Sequence, residues 1–213
     1  MNIYSEKEVL NELHYLPNVH YFSSFFHSRG LVLDDCSRFV KQSYRNRTRI
    51  AGANRVLELI IPLKKGKTHQ RIKDVMIDYQ QPWQKKHWTS IVSAYNNSPF
   101  FQYYRDDIAE RLFKKEPFLW DFNLNLLHYL MDIIGINKNI SFLSFHDCSD
   151  NTLIDLRNQI HPKSSRQIPF IQDCPYMQVF ENKSGFIPGL SIIDLIFNMG
   201  NESYQVIKNS IKT

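Results

Sequence analysis

Lys41-Gln42-Ser43-Tyr44-Arg45-Asn46-Arg47-Thr48-Arg49-Ile50-Ala51-Gly52-Ala53-Asn54 reads as a β-strand running into a turn. The run at 56–62, apolar except for Glu58 near its middle, reads as the returning strand. Side chains alternate along a strand, so Lys41, Ser43, Arg45, Arg47 and Arg49 are expected on one face. Gln42, Tyr44, Asn46, Thr48 and Ile50 are expected on the other. Cations gathered on one face repel one another unless an anion or water lies over them. The competing reading is a solvated edge strand whose charges prevent aggregation. Guanidinium forks suit phosphate and carboxylate better than ammonium groups do, and three of these four cations are Arg. The row therefore marks a candidate site for a negatively charged ligand.

Working outward, 213 residues are compatible with one domain, and 43% hydrophobic with 14% aromatic content supplies a core. A net charge of +5 and a pI near 9.0 favour anionic partners. Cys36, Cys148 and Cys174 are too few and too scattered for a disulfide framework or a CxxC metal pair. A reducing, cytoplasmic setting is expected, with no metal and no cofactor. The first ten residues lack the apolar segment of a signal peptide, and no window approaches the ~20 apolar residues of a membrane span.

Residues 5–13 have a helical pattern, with Ser5 and Glu8 spaced as a capping box. Pro17 suits a first helical turn, after which Val19, Phe22, Phe25 and Phe26 form one stripe up to Gly30. Leu31-Val32-Leu33 is a strand closing on Asp34-Asp35, either a turn start or candidate ligands and bases. A strand is expected at 75–79. A helix follows Pro82, with Trp83, His87, Ile91, Ala94 and Tyr95 on one face. His87 there is a core histidine or a catalytic one. Helices are expected over 100–115 and from 118 to a cap at Gly135, then a strand at 140–145. His146-Asp147-Cys148 has metal-capable groups, but adjacent residues cannot converge on one ion from regular backbone. His161, flanked by Arg157 and Lys163, lies in a basic loop, where nearby cations would keep it neutral and able to act as a base. A strand at 176–180 precedes the helix at 191–199, which Ser191 and Asp194 are spaced to cap; Asp194 is also a site candidate. A terminal helix is expected at 202–211.

Several stretches together carry a resemblance. They are Tyr15-Leu16-Pro17 with Tyr21-Phe22, Lys41 to Arg47, Ile50-Ala51-Gly52-Ala53-Asn54, Trp83-Gln84-Lys85-Lys86-His87-Trp88 and Ser98-Pro99-Phe100-Phe101. Further along come Asp155-Leu156-Arg157, His161-Pro162-Lys163, Gln178-Val179-Phe180, Gly185-Phe186-Ile187-Pro188 and Leu190-Ser191-Ile192-Ile193-Asp194-Leu195. In this order they resemble the WbqC-like family of bacterial proteins, whose members occur among genes for surface polysaccharide and O-antigen synthesis. Many relatives begin with an apolar strand where this chain has the charged segment 5–13. The resemblance implies a place near polysaccharide assembly, where nucleotide-linked sugars are handled.

The expectation is a cytoplasmic transferase that attaches an acyl or aminoacyl group to a nucleotide-linked amino sugar. Lys41, Arg45 and Arg47, with Arg157 and Lys163, would hold phosphate or carboxylate. Tyr15 or Trp83 would stack on a ring, and His161 or His87 would take the proton. Gln42 and Asn46 would stabilise an oxyanion. A non-catalytic scaffold or regulator of the same pathway is the alternative; nucleic-acid binding is weaker, since +5 is modest and no such motif appears. The expected architecture is one α/β domain, a mixed sheet with the hairpin at its centre and helices around it, with helix-rich α+β as the alternative.

Overall fold

Short apolar runs that end in polar residues build the frame. A computed structural model describes residues 6–66, 69–145, 153–163 and 168–212. In chain order the elements are β1 (Glu8–Asn11), α1 (Val19–Phe26), β2 (Gly30–Leu33), β3 (Arg47–Ile50) and β4 (Leu57–Ile60). There follow α2 (Trp83–Tyr95), α3 (Phe101–Phe113), α4 (Leu119–Ile134), β5 (Asn139–Phe142) and β6 (Leu153–Asp155). The chain then forms α5 (Glu181–Ser184), α6 (Ile192–Met199) and α7 (Ser203–Asn209). Among the described residues, four parallel strands form a sheet in the order β5-β2-β1-β6, and β3 pairs with β4 in a separate antiparallel ribbon. The α/β class stands, but the hairpin is a sheet of its own rather than the middle of the larger one.

The helix expected at 5–13 is instead β1. Val9 and Leu10 point to opposite faces, and both are buried. A strand covered on both faces has no polar side to display, so four residues of mixed character carry too little pattern to reveal it. Ser5, the proposed cap, lies outside the described residues. β2 shows the same burial on both faces more legibly, as Gly-Leu-Val-Leu.

The helices follow their apolar stripes. The side chain of Asn18, rather than Pro17, begins α1 by accepting the Tyr21 N–H at 2.9 Å. At the end of α4, Gly135 closes the last turn with φ 81°, a left-handed conformation that glycine adopts without strain. α6 is buried on nearly all sides, and its Phe197 packs against Tyr95 and Phe101.

Three expected strands change. Residues 75–79 make only isolated bridges, Met76 to Phe118 and Leu63 to Ile77, next to a 3₁₀ turn at Ile72–Asp74. The strand expected at 140–145 is β5, which stops at Phe142 and passes into a 3₁₀ turn. Residues 176–178 join no ladder: Gln178 instead takes the Ile187 N–H on its side-chain oxygen and donates to the Ile187 carbonyl, tying the segment to a turn by side chain. No helix is long and apolar enough to cross a membrane among the described residues.

Candidate functional site at the carboxyl ends of the parallel strands

The order β5-β2-β1-β6 places a reversal between β1 and β6. From β1 the chain steps outward to β2 and β5, then returns to lay β6 on the other side of β1. In open parallel sheets such a reversal leaves a crevice outside the carboxyl ends of the strands, where ligands bind. Here those ends are polar. Asn11 ends β1 and Glu12 and His14 follow it, Asp34 and Asp35 follow β2, and Arg157, Asn158 and His161 follow β6.

Glu12 is the centre of this arrangement, only 3% exposed. Its Oε1 accepts the Asn158 N–H at 3.0 Å and lies 3.3 Å from Arg45 Nη2, while Oε2 lies 3.8 Å from His14 Nε2. Burial pushes this carboxyl up, but the contacts with His14, Arg45 and Asn158 outweigh it and hold it below the usual carboxylate range. Burial pushes the His14 imidazole down despite Glu12, so the histidine stays neutral beside the ion pair. Arg45 Nη1, Glu12 Oε2 and His14 Nδ1 are buried without a hydrogen-bond partner among the described residues.

A polar crevice of about 590 Å³ opens beside this group, lined by Asp34, Ser37, Arg38, Arg45, Asp155 and Arg157 among others. Arg157 grips Asp155 through Nε and Nη2, at 3.0 and 2.6 Å, and donates through Nη1 to Asp34 at 3.0 Å. Its bonds to Asp155 raise its pKa further above the arginine value. Asp35 faces elsewhere. It takes Lys73 at 2.8 Å and both the N–H and hydroxyl of Ser144, which tie the ends of β2 and β5 together. These contacts overcome burial and bring it down to about 2.

A second cavity of about 270 Å³ adjoins the crevice at Gln159, which lines both. Ile160, Pro162, Ile168 and Ile171 give it apolar walls, and Tyr44, Arg49, His20, Asp173 and His161 supply its polar groups. His161 Nδ1 accepts the Lys163 N–H at 3.2 Å. A neutral imidazole has one lone pair, so that bond leaves Nε2 as the N–H, a donor. Burial, with Lys163, Arg45 and Arg47 nearby, keeps His161 below the ordinary histidine value against the pull of Glu12. His20 Nε2 lies 2.7 Å from Asp173 Oδ1. A carboxylate accepts, so Nε2 carries the hydrogen and Nδ1 keeps the lone pair of a base.

The basic stretch opens differently from its sequence pattern. Only Arg47–Ile50 is a strand; before it the backbone turns, and Gln42 has φ 59°. Alternation therefore fails from Lys41 to Asn46. Lys41 is exposed, Arg45 points inward to Glu12, and Arg47 bonds Glu58 across the ribbon at 2.9 Å. Arg49 donates to the Pro162 carbonyl at 3.0 Å. Gln42 meets Lys163 Nζ at the rim. Asn46 donates to the Ile61 carbonyl at 2.9 Å, a bond that secures the ribbon.

Tyr15, Trp83 and His87 form one buried cluster instead of a ligand platform. His87 Nε2 donates to the Ile60 carbonyl at 3.2 Å, which leaves Nδ1 to accept from the Tyr15 hydroxyl at 2.9 Å. Both nitrogens are spent, and burial brings this imidazole down to about 4. Asp194 is 0% exposed; its Oδ2 accepts from Tyr176 at 2.7 Å and Gln178 at 3.2 Å. Ser191 does not cap α6 by side chain: its hydroxyl donates to the Leu16 carbonyl at 2.9 Å.

The structure thus brings Arg45, Arg157 and His161 into the lining of two adjoining cavities, while Lys163 and Gln42 bond each other outside that lining. It places Tyr15, Trp83, His87 and Asp194 in the interior. Glu12, His14, His20 and Asp173 were missed from sequence. For Glu12 and His14 the available signal was the polar run that directly follows the apolar Val9-Leu10; His20, inside α1, and Asp173 carry no such local signal. Among the described residues no three His, Cys, Asp or Glu side chains converge as a metal site; His146-Asp147-Cys148 lies outside them.

The WbqC-like protein family model matches residues 13–169, so the chain belongs to that family. It is also similar to the uncharacterized protein Rv1507c of Mycobacterium tuberculosis, at 24% identity over 95% of this chain and 98% of the relative. No solved structure matches.

Proposed function

We propose that this member of the WbqC-like family is a cytoplasmic transferase of surface polysaccharide (O-antigen) synthesis, attaching an acyl or aminoacyl group to a nucleotide-linked amino sugar. The observation that supports this reading is the pair of adjoining cavities at the strand reversal, with two imidazoles of opposite hydrogen-bonding character in the lining of one of them. His20, oriented by Asp173, takes a proton from the attacking amine as its nitrogen bonds to the acyl carbon. The bond from that carbon to the donor's leaving group breaks, and the proton passes to the departing group. His161, through Nε2–H, donates to the carbonyl oxygen as charge develops there. Lys163, whose Nζ bonds Gln42, and the exposed Lys41 supply positive charge to meet phosphate.

The test is mass spectrometry of nucleotide-linked amino sugars incubated with the purified chain and activated donors, both thioesters and aminoacyl carriers. A product heavier by the acyl mass is expected. His20→Gln and His161→Gln should each lower its rate roughly 10²-fold or more. No mass gain with any donor, or product formation unaffected by both substitutions, overturns the reading.

A further inference from the structure

We propose that the polar crevice between Asp34, Arg45 and Arg157 is a sugar subsite, built to hold the hydroxyl groups of a hexose ring and not a phosphate. This rests on the transferase reading and names which part of its substrate enters the crevice.

The argument is one of matched charge. Arg157 is already held by Asp155 and Asp34, and Arg45 by Glu12. An anion entering between Arg45 and Arg157 meets guanidiniums already held by carboxylates, which repel it; Arg38, the third arginine of the lining, is exposed. A hydroxyl group both donates and accepts. Asp34 Oδ1 already accepts the Cys36 and Ser37 N–H groups, so such a hydroxyl donates to Asp34 Oδ2 and accepts from the guanidinium hydrogens that the carboxylates leave unused, without separating any ion pair.

The second observation is independent. Arg45 is 3% exposed, lines the crevice, and its Nη1 has no partner among the described residues. Ser37, a half-buried residue of the same lining, has its Oγ buried and without a partner among the described residues. Buried polar groups are nearly always hydrogen-bonded in folded proteins, so a donor and a hydroxyl left over in one lining point to a polar, uncharged occupant.

The experiment uses saturation-transfer NMR on the full chain, with a panel of free hexoses and N-acetylhexosamines as probes and inorganic phosphate as competitor. At least one sugar is expected to bind, phosphate should leave it in place, and Ser37→Ala should weaken it several-fold with unchanged thermal unfolding. Asp155→Asn releases one partner of Arg157, so it should weaken the sugar and let phosphate compete. Binding of no sugar in the panel, displacement by phosphate from the unaltered chain, or undiminished affinity in Ser37→Ala overturns the proposal. Sugar binding without transfer from nucleotide-linked sugars removes the transferase reading alone. Transfer whose KM is untouched by Ser37→Ala removes the subsite alone.

Discussion

Glu12 and Arg45 are separated by 33 positions in the chain and meet in the interior at 3.3 Å. A buried ion pair contributes little net stability, but stripping one partner leaves an uncompensated charge. Glu12→Gln should therefore cost about 3–5 kcal/mol, read as a lower urea midpoint at unchanged slope. Glu12→Gln combined with Arg45→Met should recover part of that loss, because neither charge is then stranded. A midpoint shift of less than about 1 kcal/mol would mean that the pair behaves as a solvated surface contact. Neither role was visible in sequence. Arg45 reads as one of a row of strand cations, and Glu12 falls within the segment that reads as a helix. Which charge meets which is a long-range fact, and no local pattern encodes it.

At the scale of elements, helices were legible and strands were not. α2, α3 and α4 announce themselves through stripes of 13 to 16 residues with clear ends. The strands are three or four residues long, and β1 and β2 are covered on both faces, so their periodicity barely completes a cycle. The junction of α6 with the following 3₁₀ turn is a point where local chemistry does decide. Gly200 has φ 54°, and a Cβ there would come within 2.6 Å of the Phe100 ring. Gly200→Ala should lose about 1–3 kcal/mol through both the backbone conformation and the displaced ring, measured by thermal unfolding. If the variant unfolds with the unaltered chain, the turn does not depend on that conformation.

Across the whole molecule, two buried groups tilt stability with pH in opposite senses. Burial raises Asp194 from 3.8 to about 6 despite bonds from Tyr176, Tyr95 and Gln178. Between those values the folded state holds the extra proton, so this contribution is full below about 4 and declines as pH rises to 6. Burial lowers His87 from 6.5 to about 4, so its contribution is full above 6.5 and is lost as pH falls toward 4. Denaturant unfolding from pH 4 to 7 should show Asp194→Asn gaining on the unaltered chain as pH rises, by on the order of 2–3 kcal/mol in total. His87→Gln should gain as pH falls. Parallel profiles for all three chains would mean that neither group changes charge over that range. The amino-acid sequence alone determined the α/β class, the long helices and the family, because these rest on local periodicity and on the order of motifs. Only the tertiary structure decided that the hairpin stands apart from the parallel sheet, that Arg45 and Arg47 are matched by carboxylates, and that His20 and Asp173 share a cavity with His161. Those outcomes depend on which strand ends lie side by side, and strand order is set by contacts between residues far apart in the chain.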